Sequence, residues 1–108
     1  MIRGQAQRFG VEVVEWGDFA VDRVPIPDGP LYVSIDLDGI DPAFAPAVSH
    51  PEPGGLSVRD VVAIFARIRG NVVGGDIVEL NPSQETGDAT AIVAVKLLKE
   101  LAGAMARR

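Results

Sequence analysis

The chain has 108 residues, a formal net charge of −5, 47% hydrophobic residues and 23% charged ones, the balance of one small globular domain rather than of a disordered chain. It contains no cysteine, which excludes disulfides, thiolate zinc sites and cysteine nucleophiles. Lysine and arginine are scattered without aromatic interleaving, so no nucleic-acid surface is expected; with no apolar spanning run and no signal-peptide core, a cytoplasmic protein without membrane contact is the expectation.

Residues 2–9 read as a short helix stopped by Gly10, and VEVVEW (11–16), β-branched and aromatic, as a short strand. DRVPIPDGP (22–30) is a connecting loop by its prolines. LYVSIDLD (31–38) is almost continuously apolar up to its aspartates, a pattern that suits a strand covered on both faces. From Gly39 to Leu56 all periodicity is lost in a stretch rich in proline, and an irregular segment that long is functional or disordered. SVRDVVAIFARIRG (57–70) is the clearest helix: Val58, Val61, Val62, Phe65 and Ile68 form its apolar face. Ser57 is its N-cap, with Asp60 three residues on, Arg67 and Arg69 in its last turn and Gly70 at its stop. NVVGGDIVEL (71–80) reads as a second buried strand, with 81–88 as a loop. A long helix over 89–106 then turns Ile92, Val93, Leu97, Leu101 and Met105 inward. Arg107 and Arg108 are expected to complement a helix C-terminus.

Strand, helix, strand, helix is a βαβα order, so the 31–38 and 72–79 strands should be parallel neighbours in an α/β fold with their carboxyl ends on one edge. Ligands of open α/β sheets bind at that edge. Asp36 and Asp38, two apart on a strand, leave the same face, and Asp76 and Glu79 end the neighbouring strand at the same edge. Carboxylates so placed repel unless a cation or a retained proton neutralises them. Asp-Gly and Asp-Pro are also turn signals, so the residues alone leave a cation or cationic-ligand site and a solvated turn both open. An Asp-x-Asp nucleotide-sugar transferase is a third reading; an EF-hand is a poor fit, because no glutamate closes a twelve-residue loop.

SIDLDGIDPAFAPAVSHPEPGGLS (34–57) resembles the signature of the ureohydrolases, the arginase and agmatinase family: Ser-x-Asp-x-Asp-x-x-Asp-Pro, a later proline and a closing Gly-Gly. GGDIVELNP (74–82) resembles that family's Asp-x-x-Glu-x-Asn-Pro segment, TAIVAVKLLKELA (90–102) its terminal helix, and QRFGVE (7–12) its preceding helix-to-strand passage. The segment SHPEPGG is similar to plant-type arginases and agmatinase-like members.

The resemblance implies a parallel-sheet βαβα fragment of a three-layer α/β/α arginase-like fold, with residues 1–108 as the C-terminal portion of a single domain. It implies that Asp36 and Asp38 are ligands of a binuclear Mn²⁺ centre, which activates water at neutral pH, and that Glu79 binds the substrate guanidinium. Asp76, Asp41 and His50 take supporting places: Asp76 orienting a ligand or the Glu79 strand, Asp41 bonding backbone N–H groups after the strand, His50 near the site mouth. The family's Gly-Gly-Asp-His and Asp-Ala-His-x-Asp motifs have no counterpart here, so the remaining ligands and the proton-shuttling histidine are expected outside this chain. The expected function is Mn²⁺-dependent hydrolysis of a guanidino group, in arginine, agmatine or a similar compound, to urea and an amine, with this chain inactive alone. The alternative is a non-catalytic remnant or assembly piece that binds a divalent cation loosely. A short parallel sheet leaves an uncovered edge, so a homo-oligomer or self-association is expected.

Overall fold

The computed structural model describes residues 3–107. Five regular elements follow one another: α1 (Arg3–Phe9), β1 (Pro30–Asp36), α2 (Val58–Arg67), β2 (Asn71–Val78) and α3 (Ala89–Ala106). β1 and β2 pair in parallel, with Ser34 opposite Asp76 and Asp36 opposite Val78. That is the α/β order the sequence predicts, and it places both strand C-termini on one edge.

α2 begins where the sequence places its cap. The Ser57 hydroxyl accepts from the Asp60 N–H and the Asp60 carboxylate accepts from the Ser57 N–H, both at 2.9 Å, a reciprocal pair that satisfies two otherwise orphaned donors. Its last helical residue is Arg67, short of the predicted stop at Gly70, and Ile68 turns into the core instead. The Arg67 guanidinium reaches back to the carbonyls of Val21 and Val24, and Arg107 donates to the Phe65 carbonyl at the end of α2. So Arg107 complements the C-terminus of a neighbouring helix; Arg108 and Ile2 lie outside the described residues.

The core gathers Ile35, Leu37, Ile40, Val61, Phe65, Val72, Leu97 and Leu101 from the strands, the following loop and both long helices. α3 packs closely on β2 because position 75 is glycine: a Cβ there would lie 2.8 Å from Leu101 Cδ1.

Three expectations are corrected. VEVVEW forms no strand: 11–15 carry no ladder and Trp16–Asp18 is a 3₁₀ turn with Trp16 stacked on Phe19. β-branched residues fit a pleated surface only when a neighbour offers one, and the sheet of the described residues has two strands, which pair with each other. β1 is covered on one face, not two: Tyr32, Ser34 and Asp36 are exposed, whereas Leu31, Val33 and Ile35 turn to the core. On α3, Ile92 points outward and is 65% exposed, because Thr90, Leu97, Leu101 and Ala104 occupy the inner stripe. Among the described residues no helix is long and apolar enough to cross a membrane.

Candidate functional site

β1 stops at Asp36, and the chain bends at once into a 3₁₀ turn, Leu37–Gly39. Leu37 anchors the bend, fully buried. Asp36 caps it: its carboxylate accepts from the Asp38 N–H at 2.9 Å. Asp38 is therefore on the turn and not on the strand, which corrects the expectation that the two side chains leave one strand face together.

Two straps hold the irregular 39–56 segment over this edge. Asp41 ties its ends, accepting from the N–H of Ala43 at 2.8 Å, of Gly54 at 2.9 Å and of Gly55 at 3.2 Å. Those donors, the Ala43 and Gly54 N–H groups foremost, hold the Asp41 carboxyl below its ordinary range. Gly55 permits the close crossing: a Cβ there would meet the Gly39 carbonyl oxygen at 2.8 Å and the Asp41 nitrogen at 2.9 Å. The second strap joins the segment to the chain after β2. Val48 bridges Leu80, the Asn81 N–H donates to the Ala47 carbonyl at 2.8 Å, and the Asn81 amide donates to Ser49 Oγ at 3.2 Å. The Ala47 N–H in turn donates to the buried Thr90 Oγ1 at the start of α3.

That strap brings His50 to Asp38 and Glu79. Glu79 follows the last residue of β2 and has a left-handed backbone, φ 74°, alone in this among the described non-glycine residues. Ligand atoms of Asp38, His50 and Glu79 lie within 4.8 Å of one another. His50 Nδ1 is 3.6 Å from Asp38 Oδ2, and Asp38 Oδ1 is buried without a hydrogen-bond partner. Such an orphaned carboxylate oxygen is uncommon in a folded protein. Oxygen donors with one imidazole fit a divalent cation.

Asp76 stands apart from this cluster. It sits mid-strand opposite Ser34, on the open face of the sheet, and accepts from Ser34 Oγ at 2.5 Å and Tyr32 Oη at 2.8 Å. The Ser34 hydroxyl first, then the Tyr32 hydroxyl, holds its carboxyl below the ordinary range, while the Tyr32 phenol is pushed up by the same bond. The expectation that Asp76 ends its strand at the same edge as Glu79 is thus corrected: Asp76 lies within β2 and fastens it to β1 by side chains. The residues that sequence reasoning missed are Val48, Leu80, Asn81 and Thr90, whose contacts join distant segments. The Asn-Pro pair at 81–82 is the one local signal that a built turn follows Glu79.

The sequence profile of the Arginase family matches residues 6–103. Arginase 1, mitochondrial, of Oryza sativa subsp. indica is 50% identical over 107 residues, covering 92% of this chain and 32% of its own length. The solved arginase from Medicago truncatula superposes with a TM-score of 0.84 at 46% identity, over 95% of this chain and 35% of that one. A T. brucei arginase-like protein solved as a triple mutant bound with Mn²⁺ superposes with a TM-score of 0.67 at 42% identity, over 77% of this chain and 30% of that one. The chain spans about a third of the length of the curated relatives it matches.

Proposed function

This chain belongs to the arginase family, and on that premise we propose that it carries one wall of a site that hydrolyses a guanidino group to urea and an amine, the other wall being supplied from outside these residues. The observation that carries the reading is the convergence of Asp38 and Glu79 beside Asp36, at the C-terminal edge of two parallel strands. Asp36 and Asp38 would hold manganese, as their oxygen donors and the orphaned Asp38 Oδ1 suit it. Bound manganese supplies Lewis-acid activation of water.

Glu79 accepts the guanidinium N–H fork, a geometry that a carboxylate matches in two parallel hydrogen bonds. Asp41 and Gly55 fix the loop that carries His50. Asp76 holds β2, and so Glu79, in register with β1 through Ser34. The substrates to offer are arginine, agmatine and 4-guanidinobutyrate. The cytoplasmic location belongs to the same proposal, and fractionation of the source cell tests it against the mitochondrial name of the rice relative.

A non-catalytic assembly piece is the second reading, favoured by the single histidine of the sequence. Urea release separates the two. The chain alone with Mn²⁺ should release none. Mixed with a polypeptide corresponding to the rest of the Medicago arginase, it should release urea, and Asp36→Asn or Glu79→Gln in this chain should abolish that release. A mixture in which the two pieces co-migrate and no urea appears would leave the assembly-piece reading standing.

A further inference from the structure

We propose that the outer face of α3 pairs with the same face of a second copy of this chain, the two helices running antiparallel about a two-fold axis that passes between Val93 and Ala94. The residues concerned take no part in the hydrolytic reading, which neither requires nor forbids the contact.

α3 is apolar on two sides. Its inner stripe is buried in the core, yet Ile92 and Val95 on the outer side are 65% and 55% exposed. A helix apolar around its circumference belongs inside a larger body. The exposed residues Asp88, Ile92, Val95 and Lys99 follow one another in steps of four, three and four, the spacing of a seam between two packed helices. The seam is apolar in its middle, acidic at its N-terminal end and basic at its C-terminal end. Among the described residues neither end charge has an ion-pair partner, whereas the neighbouring Lys96 is held by Glu100 at 2.8 Å.

That charge order fits a second copy and selects its direction. Asp88 and Lys99 lie equally far from the midpoint of the seam, about 8 Å along the axis, and Ile92 and Val95 lie equally far closer in. In the antiparallel pair Asp88 meets the partner's Lys99, and Ile92 meets the partner's Val95. The exposed Leu98 falls opposite the small side chain of the partner's Ala89. Every contact occurs twice, as an isologous interface requires. A parallel pair would set Asp88 against the partner's Asp88 and Lys99 against the partner's Lys99. A slip by one heptad would leave both charges unpaired, so the pattern also works against the wrong registers. The overlap over residues 88–99 is about 17 Å of helix. A contact of that length stays below about 1,200 Å² and makes a reversible dimer rather than a permanent one.

Sedimentation equilibrium of the purified chain at concentrations up to about 1 mM tests this. The parent should form dimers. Lys99→Glu sets acid against the partner's Asp88 at both ends of the seam, and Asp88→Lys sets base against the partner's Lys99. Each variant alone should therefore dimerise at least about tenfold more weakly. Mixed in equal amounts, the two variants oppose unlike charges again at both ends and should pair with each other at close to the parent's strength. A general loss of structure cannot produce that recovery. Both positions are exposed, so the variants keep the fold, which circular dichroism checks. A parent that stays monomeric would overturn the proposal, as would association that neither reversal weakens, or a mixture no stronger than its separate components. A monomeric parent whose binding to the polypeptide for the rest of the Medicago arginase is weakened by Lys99→Glu would assign the face to that occupant instead, and overturn the proposal too. None of these readouts involves urea, so failure here leaves the hydrolytic reading untouched, and failure there leaves this one.

Discussion

Asp41 is the residue whose chemistry is most directly measurable. Its carboxylate takes three backbone N–H groups from both ends of the 41–55 loop, and they lower its folded pKa below an ordinary value of about 3.9. A depressed folded pKa contributes stability that is fully present above the unfolded value and is lost as pH falls through the folded one. The urea midpoint of the chain should thus be flat from about pH 7 to pH 5 and fall below about pH 4. Asp41→Asn should lower the midpoint at neutral pH and flatten part of that fall. It flattens only part, because Asp76 is depressed in the same direction by Ser34 and Tyr32. A midpoint in Asp41→Asn that falls as steeply as the parent's would remove Asp41 from this role.

At the scale of elements, local signals were legible and distant ones were not. The Ser57–Asp60 capping box lies within four residues, so it reads directly from the sequence and appears as read. The Asp-Gly and Asp-Pro pairs announced a turn after β1 for the same reason. VEVVEW has the composition of a strand and forms none, because a strand is a property of two segments and its own residues say nothing of a partner. Ile92 fits an inward helical spacing yet faces out, because α3 is apolar around much of its circumference and periodicity leaves its inner face undecided. The meeting of Asp38, His50 and Glu79 depends on the Val48–Leu80 bridge and the Asn81–Ser49 bond, contacts between segments some thirty residues apart in chain order. No spacing rule reaches that far. The crossing that supports them at Gly55 is testable: Gly55→Ala drives a Cβ against the Gly39 carbonyl and the Asp41 nitrogen and should cost about 1–3 kcal/mol. Gly39→Ala, with nothing within 4 Å of its added Cβ, should stay within about 0.5 kcal/mol. Paired thermal melts give both values.

The whole molecule shows more surface than its size requires. A monomer of 11.4 kDa is expected to expose roughly 5,800 Å², and this chain exposes 7107 Å². Its radius of gyration is 14.4 Å, against about 13 Å for a compact chain of this length. The excess shows as apolar side chains: Tyr32 on the open sheet face, and Ile92, Val95 and Leu98 along α3. Open faces of this kind seek a cover, so the isolated chain should self-associate. Sedimentation velocity across a hundredfold range of concentration should show a rising mean mass. A concentration-independent monomer would mean that these faces are tolerated in water.

Glu79 holds a backbone conformation that glycine adopts freely and that costs other residues about 1–3 kcal/mol. Mutational drift in a lineage that no longer used the carboxylate would run downhill, to Gly or Asn at this position. A chain serving only as an assembly piece would be freed to take that path, whereas one whose Glu79 still meets a ligand would be held against it. Position 79 is thus a record of selection: which residue the descendants of this chain carry there tells whether the strain is still being repaid.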